Sequence, residues 1–179
     1  MRWEFYDTFA DNDKRKNTIL CEYDTNDGVH KDRNNGMTGA IPIKFTDTQF
    51  ANYGIQKAHP VLRYAEVLLS YAEAENELHG PTKEAINAVK QVTDRAGVTI
   101  PASALAGTNE FREYLLAERG RELFCEGQRR QDLIRHGVYI SRSRERGNNA
   151  QDYQVLFPIP QSVITEAGGI VEQNPEYPK

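Results

Sequence analysis

The chain of 179 residues is short of several things that mark common protein classes. It has no apolar run of the roughly 18 residues needed for a spanning helix. Its N-terminus, MRWEFYDTFADNDKRK, has neither the apolar stretch nor the small-residue cleavage site of an export signal. The two cysteines, Cys21 and Cys125, are too few and too distant for a zinc site or a disulfide framework, which leaves at most one long-range bridge in an oxidising compartment. Basic residues are in deficit: 22 Lys and Arg against 26 Asp and Glu give a formal charge of −4 and exclude a general nucleic-acid binder. Phosphate-binding glycine loops, nucleophile elbows, HExxH and CxxC pairs are all missing.

Weaker chemical signals fail on inspection. Asp24 to Gly28, DTNDG, approaches a calcium loop but is one residue short and lacks the closing glutamate. Glu75 and His79 are one helical turn apart, yet a di-iron bundle needs a repeated Glu-x-x-His. Acidic side chains are too plentiful for a glycosidase pair to stand out. Glu66, Glu73 and Glu77 share one helical face and Glu118, Glu122 and Glu126 another, whereas a glycosidase sets its two carboxylates across a sugar. No catalytic residue, metal or cofactor is expected.

What is present suits a single domain over residues 1–179, since 39% hydrophobic and 27% charged residues are enough for a core. Residues 1–59, rich in Asn, Asp, Gly and Thr, read as loops with a few short strands. From Pro60 the pattern becomes helical, and a helical core is expected over 60–137. In VLRYAEVLLSYAEAENELHG the line Val61, Tyr64, Ala65, Leu68, Tyr71, Ala72 and Leu78 predicts a buried stripe, with Glu66, Ser70, Glu73 and Glu77 opposite and Gly80-Pro81 as the stop. Thr82 caps a second helix with the line Ala85, Val89, Val92 and Ala96, ended by Gly97. So short a connection makes the two an antiparallel, tetratricopeptide-like hairpin. A third helix is expected from Asn109 as far as Gly127, and a fourth from Gln128 to His136. Residues 138–179 read as an irregular cover containing one buried strand, YQVLFPIP.

The stretch ERGRELFCEGQRRQDLIRHG, residues 118–137, holds five arginines and four acids. Glu118, Glu122 and Glu126 fall four apart, and like charges so placed repel on an exposed helix. The spacing predicts a partly buried structural network in which Arg119 and Arg129 fork onto Glu118, Glu122, Glu126 and Asp132. Gly120 and Gly127, seven apart, predict the close approach of another backbone.

Four stretches in this order resemble the SusD/RagB-like outer-membrane nutrient-binding lipoproteins: DKRKNTI; LRYAEVLLSYAEAENEL with EAINAVKQVTDRAGV; LLAERGRELFCEGQRRQDLIRHG; and LFPIPQSVI with a terminal QNPEY. The resemblance implies a mainly α fold of tetratricopeptide-like hairpins with a loop-rich cover and a few short strands. It also implies a non-catalytic protein of the bacterial cell surface that captures oligosaccharide and passes it to a SusC-like TonB-dependent transporter. Family chains are much longer, so this one corresponds to the C-terminal portion, and the lipid anchor to the outer membrane lies outside it. Three positions depart from the family pattern. Cys125 stands where an aromatic is usual, Arg130-Gln131 replaces a commonly aromatic pair, and Glu176 replaces the glycine of a terminal Asn-Pro-Gly-Tyr.

The shared motifs contain no sugar-contacting residue, so candidates come from chemistry: aromatic platforms for ring faces, with amide and guanidinium groups for hydroxyls. Trp3 with Arg2 and Tyr6, and Tyr53 with Asn52, meet that description in loop-like sequence. The plainer reading of Trp3 and Tyr6 is that they pack as core. Two other functions stay open: a tetratricopeptide-like scaffold for a protein partner and a glycoside hydrolase.

Overall fold

A computed structural model describes residues 1–45 and 60–178. The chain divides into two compact units, Met1–Arg129 and Arg130–Lys179.

The first unit begins with a one-turn helix α1 (Trp3–Tyr6) and a 3-10 turn over Lys14–Thr18. Four two-residue strands follow: β1 (Ile19–Leu20), β2 (Tyr23–Asp24), β3 (His30–Lys31) and β4 (Ile41–Pro42). β1 pairs antiparallel with β4, placing Ile19 opposite Pro42, and β2 pairs antiparallel with β3. Three longer helices complete the unit: α2 (Tyr64–His79), α3 (Lys83–Ala96) and α4 (Thr108–Glu122). The backbone N–H of Ala85 donates to Thr82 Oγ1 at 3.2 Å, and Gly97 closes α3 in the left-handed conformation with φ 78°. Ala85, Val89, Val92 and Ala96 are all buried, as their spacing predicts. Ala85, Val89 and Val92 meet Leu69 and Ala72 of α2 and Phe111 and Leu115 of α4 in the main core.

Helix α2 bears out the expected stripe at Ala65, Leu68 and Ala72, which lie in or against the core, and corrects it at Tyr64, Tyr71 and Leu78. Its buried residues are Leu69, Ala72, Glu73 and Asn76, while Tyr64 and Leu78 are 68% and 74% exposed and Val67 and Tyr71 are also open. At 100° per residue these exposed side chains fall on an arc nearly opposite the buried one. The helix is therefore apolar on two faces, with Ala65, Leu68, Leu69 and Ala72 inward and Tyr64, Val67, Tyr71 and Leu78 outward. Glu73, assigned to the polar face, lies against the core side.

Three further expectations are corrected. Helix α4 ends at Glu122 rather than near Gly127, because residues 123–127 form a turn in which Cys125 and Gly127 both have positive φ, 62° and 81°. A Cβ at Gly127 would meet nothing within 4 Å, so no backbone packs there. At Gly120 the close neighbour is a side chain, with the Arg129 guanidinium carbon 3.0 Å from the Cβ position. The possible disulfide is not formed, and both cysteines are free.

The second unit contains α5, which spans Arg129–Arg135, α6 (Tyr139–Glu145), a 3-10 turn over Asp152–Val155, and α7 (Gln161–Glu166). Residues 139–145 are thus helical where an irregular stretch was expected. YQVLFPIP is not a strand, since Pro158 and Pro160 have no N–H to offer a ladder. A side chain takes the place of a neighbouring strand: Gln173 Oε1 accepts from Ile159 N at 2.8 Å and its Nε2 donates to Ile159 O at 2.9 Å.

Candidate functional site

Two regions of the first unit hold the residues singled out from the sequence. In the first, α1 carries Trp3 and Tyr6 against a small second core of Phe9, Ile19, Ala40 and Phe124. Trp3 Nε1 donates to Met37 O at 3.1 Å, and the two rings meet edge to face with centroids 5.7 Å apart. Arg33 lies over the Trp3 ring at 5.0 Å and forks onto both oxygens of Asp7 at 2.8 Å. That fork holds the Asp7 carboxyl below the usual carboxylate range. The Tyr6 hydroxyl sits 3.4 Å from Cys21 Sγ, and this contact, with burial, pushes its pKa up to about 12. Lys16 lies over its ring at 5.0 Å.

Trp3 and Tyr6 are therefore half-buried, pinned by hydrogen bonds and bordered by two cations. Arg2 is exposed and lines a separate open groove of about 380 Å³ with Thr38, Gly39, Ile41 and Pro42. Asn52 and Tyr53 lie outside the described residues. The structure brings Trp3 and Tyr6 together and adds Arg33, which sequence reasoning missed. Arg33 stands thirty positions from Trp3 in a loop of no clear pattern.

The second region is the charged ladder on α4. Glu118, Glu122 and Glu126 are all buried, Glu118 completely. Arg15 Nη1 donates to Glu118 at 2.7 Å and Glu122 at 3.1 Å, while its Nη2 donates to Asp13 at 2.7 Å. Arg63 donates to Glu122 at 2.6 Å and Glu126 at 2.7 Å, Arg95 donates to Glu122 at 2.5 Å, and Arg121 to Glu118 at 2.8 Å. Lys44 bonds Glu126 and donates to Glu122 O at 2.7 Å.

Burial alone would raise the Glu126 pKa, but the bonds from Arg63 and Lys44 outweigh it and hold the carboxyl below its ordinary range. For Lys44 burial wins, and its pKa is lowered despite Glu126. Arg15, Lys44, Arg63 and Arg95 thus join the network expected from the sequence. Arg119 also donates to Ser70 Oγ at 3.0 Å and Arg129 to Leu116 O at 2.6 Å, and several bonds to the ladder come from far along the chain. In the second unit Asp132 accepts from Arg135 at 2.9 Å. The DKRK stretch supplied one signal for Arg15, but nothing in the sequence linked it to residue 118.

Against known proteins, the chain matches the SusD family over residues 3–177, and it belongs to that family. Among curated relatives, SusD-like protein P25 of Formosa agariphila is 38% identical over 109 residues, covering 56% of this chain and 20% of the relative. SusD-like protein P38 of the same organism is 32% identical over 161 residues, covering 73% and 32%. The chain thus spans a third or less of the length of these relatives. Among solved structures, a SusD homolog from Bacteroides thetaiotaomicron is similar with a TM-score of 0.68 at 29% identity, over 93% of this chain and 41% of that one. B. fragilis NanU gives 0.67 at 26% identity over 98% and 38%. A surface glycan-binding protein A from Bacteroides thetaiotaomicron shares the fold, with a TM-score of 0.69 at 24% identity over 97% and 40%. The helical pairs α2–α3 and the loop-rich segments around them are the SusD-like form of a tetratricopeptide-like fold.

Proposed function

We propose that this chain is the C-terminal portion of a non-catalytic, cell-surface carbohydrate-binding protein that captures oligosaccharide and delivers it to a SusC-like TonB-dependent transporter. The match to the SusD family over residues 3–177 carries this reading. Glu118, Glu122 and Glu126 offer no hydrolytic pair, because all three are buried and engaged by guanidinium or ammonium groups. Among the described residues no helix is long and apolar enough to cross a membrane, which is compatible with attachment to the outer membrane through a lipid anchor.

Trp3, Tyr6 and Arg2 remain the sugar-contact candidates on the described surface, joined by Arg33, with Tyr53 and Asn52 as further candidates. Calorimetric titration with neutral oligosaccharides such as maltohexaose and cellohexaose tests the reading. Binding that falls at least tenfold in Trp3→Ala supports it, and release of reducing sugar defeats it. Co-purification with a β-barrel transporter from outer membranes tests the partner.

A second reading, a protein-interaction scaffold, is favoured by the outer apolar stripe of α2. It predicts peptide binding that Tyr71→Glu abolishes and Trp3→Ala leaves unchanged.

A further inference from the structure

The second unit contains an arginine without a carboxylate. Arg130 Nη2 donates to the carbonyls of Gln154 and Val155 at 3.1 and 2.9 Å, and among the described residues no acidic side chain pairs with it. Its guanidinium carbon stands 3.8 Å from the centroid of the Phe157 ring and 5.2 Å from that of Tyr139. Two carbonyl bonds from one nitrogen leave the Nε and Nη1 donors of the five-donor group unused by the protein.

The Phe157 ring is both exposed and fixed. Phe157 is 67% exposed, which for a phenylalanine costs hydrophobic free energy unless something covers it. Its backbone cannot turn inward: Asn174 Nδ2 donates to Phe157 O at 2.7 Å, and Tyr177, packed edge to face on Tyr153, donates its hydroxyl to Leu156 O at 2.9 Å. One face of the Phe157 ring is covered by the guanidinium and the other is open, an arrangement suited to a saccharide that carries an acidic group. The apolar C–H face of one sugar unit lies on the open ring face, and the carboxylate or sulfate of an adjoining unit reaches the free donors at the ring's edge. We infer that Arg130 and Phe157 form a binding platform for an acidic saccharide. The inference borrows only the ligand class from the carbohydrate-binding reading. The chemistry shared by uronates and sulfated sugars is an anionic oxygen group on a pyranose.

The test uses the whole chain and three probes: tetragalacturonate for the carboxylate, a sulfated galactan tetramer for the sulfate, and maltohexaose as the neutral control. Titration should show binding of at least one acidic probe, weakened by added salt. Arg130→Gln should weaken that binding about tenfold or more, and Arg130→Lys, which keeps the charge but not the fork, should recover only part of it. Phe157→Leu, which preserves apolar volume, should weaken it as strongly as Arg130→Gln, with circular dichroism unchanged in each variant. A purely structural Arg130 would leave the affinity unchanged in variants that fold. The inference is overturned if neither acidic probe binds the wild type, or if Arg130→Gln folds and binds them equally well. Maltohexaose binding that responds to Trp3→Ala alone leaves the carbohydrate-binding reading standing whichever way this test falls.

Discussion

Arg15 touches the carboxylates of Asp13, Glu118 and Glu122 at once, at 2.7 to 3.1 Å, and all four side chains are buried. Arg15→Ala would leave charge stranded in the interior, where water cannot replace the lost fork, and we expect a loss of about 3–5 kcal/mol in urea unfolding. Arg112 offers the contrast. It binds Glu77 at 2.5 Å on the surface, and Arg112→Ala should cost less than about 1 kcal/mol. If the two variants prove equal, the ladder does not carry the stability that its burial implies. Glu176 raises a backbone question instead. It occupies the position where the related family pattern has glycine, and its φ of 66° lies in the left-handed region. A side chain there costs about 1–2 kcal/mol, partly recovered through the smaller entropy of the unfolded chain. Glu176→Gly should therefore raise the melting temperature slightly, whereas Glu176→Val should lower it.

Among the helices, α2 decides most about the first unit. Leu69 is completely buried between α3 and α4, and Leu69→Ala should cost about 2–5 kcal/mol. Tyr71, two residues on but on the outer arc, is half exposed, and Tyr71→Ala should fall within about 1 kcal/mol. Reversed costs would restore the stripe that periodicity alone suggested. That stripe misled because a helix apolar on two faces carries two valid lines, and sequence does not say which one meets α3. Helix α3 was legible because it has a single apolar line, a threonine cap and a glycine stop. The ladder carboxylates were legible as a set. Their partners were not, since Arg15, Lys44, Arg63 and Arg95 arrive through tertiary folding and no local spacing reports them. The strand expected at Tyr153–Pro160 failed for a similar reason: its backbone partner is the Gln173 side chain, fourteen residues beyond Ile159.

Over the whole molecule, the ladder ties the loop-rich start of the chain to the helices, and this link should respond to acid. Glu126 is held below its ordinary pKa in the folded state, so its contribution to stability is present above the unfolded value of about 4.3. It is lost as pH falls through the lower folded value. Urea midpoints measured from pH 7 down to pH 3 should decline for the wild type. Glu126→Gln should begin less stable and decline less steeply over the acidic part of the range. Parallel curves would mean that Glu126 plays no part in the acid response.

The outer arc of α2 also shapes how copies of the chain behave in concentrated solution. Tyr64, Val67, Tyr71 and Leu78 offer a short-range attraction, opposed at low ionic strength only by a formal charge of −4. Salt screens the repulsion over a Debye length of about 8 Å at physiological strength and leaves the attraction intact. The osmotic second virial coefficient from light scattering should therefore be positive in dilute buffer and turn negative as salt is added. Replacing Val67 and Leu78 with glutamate should keep it positive throughout.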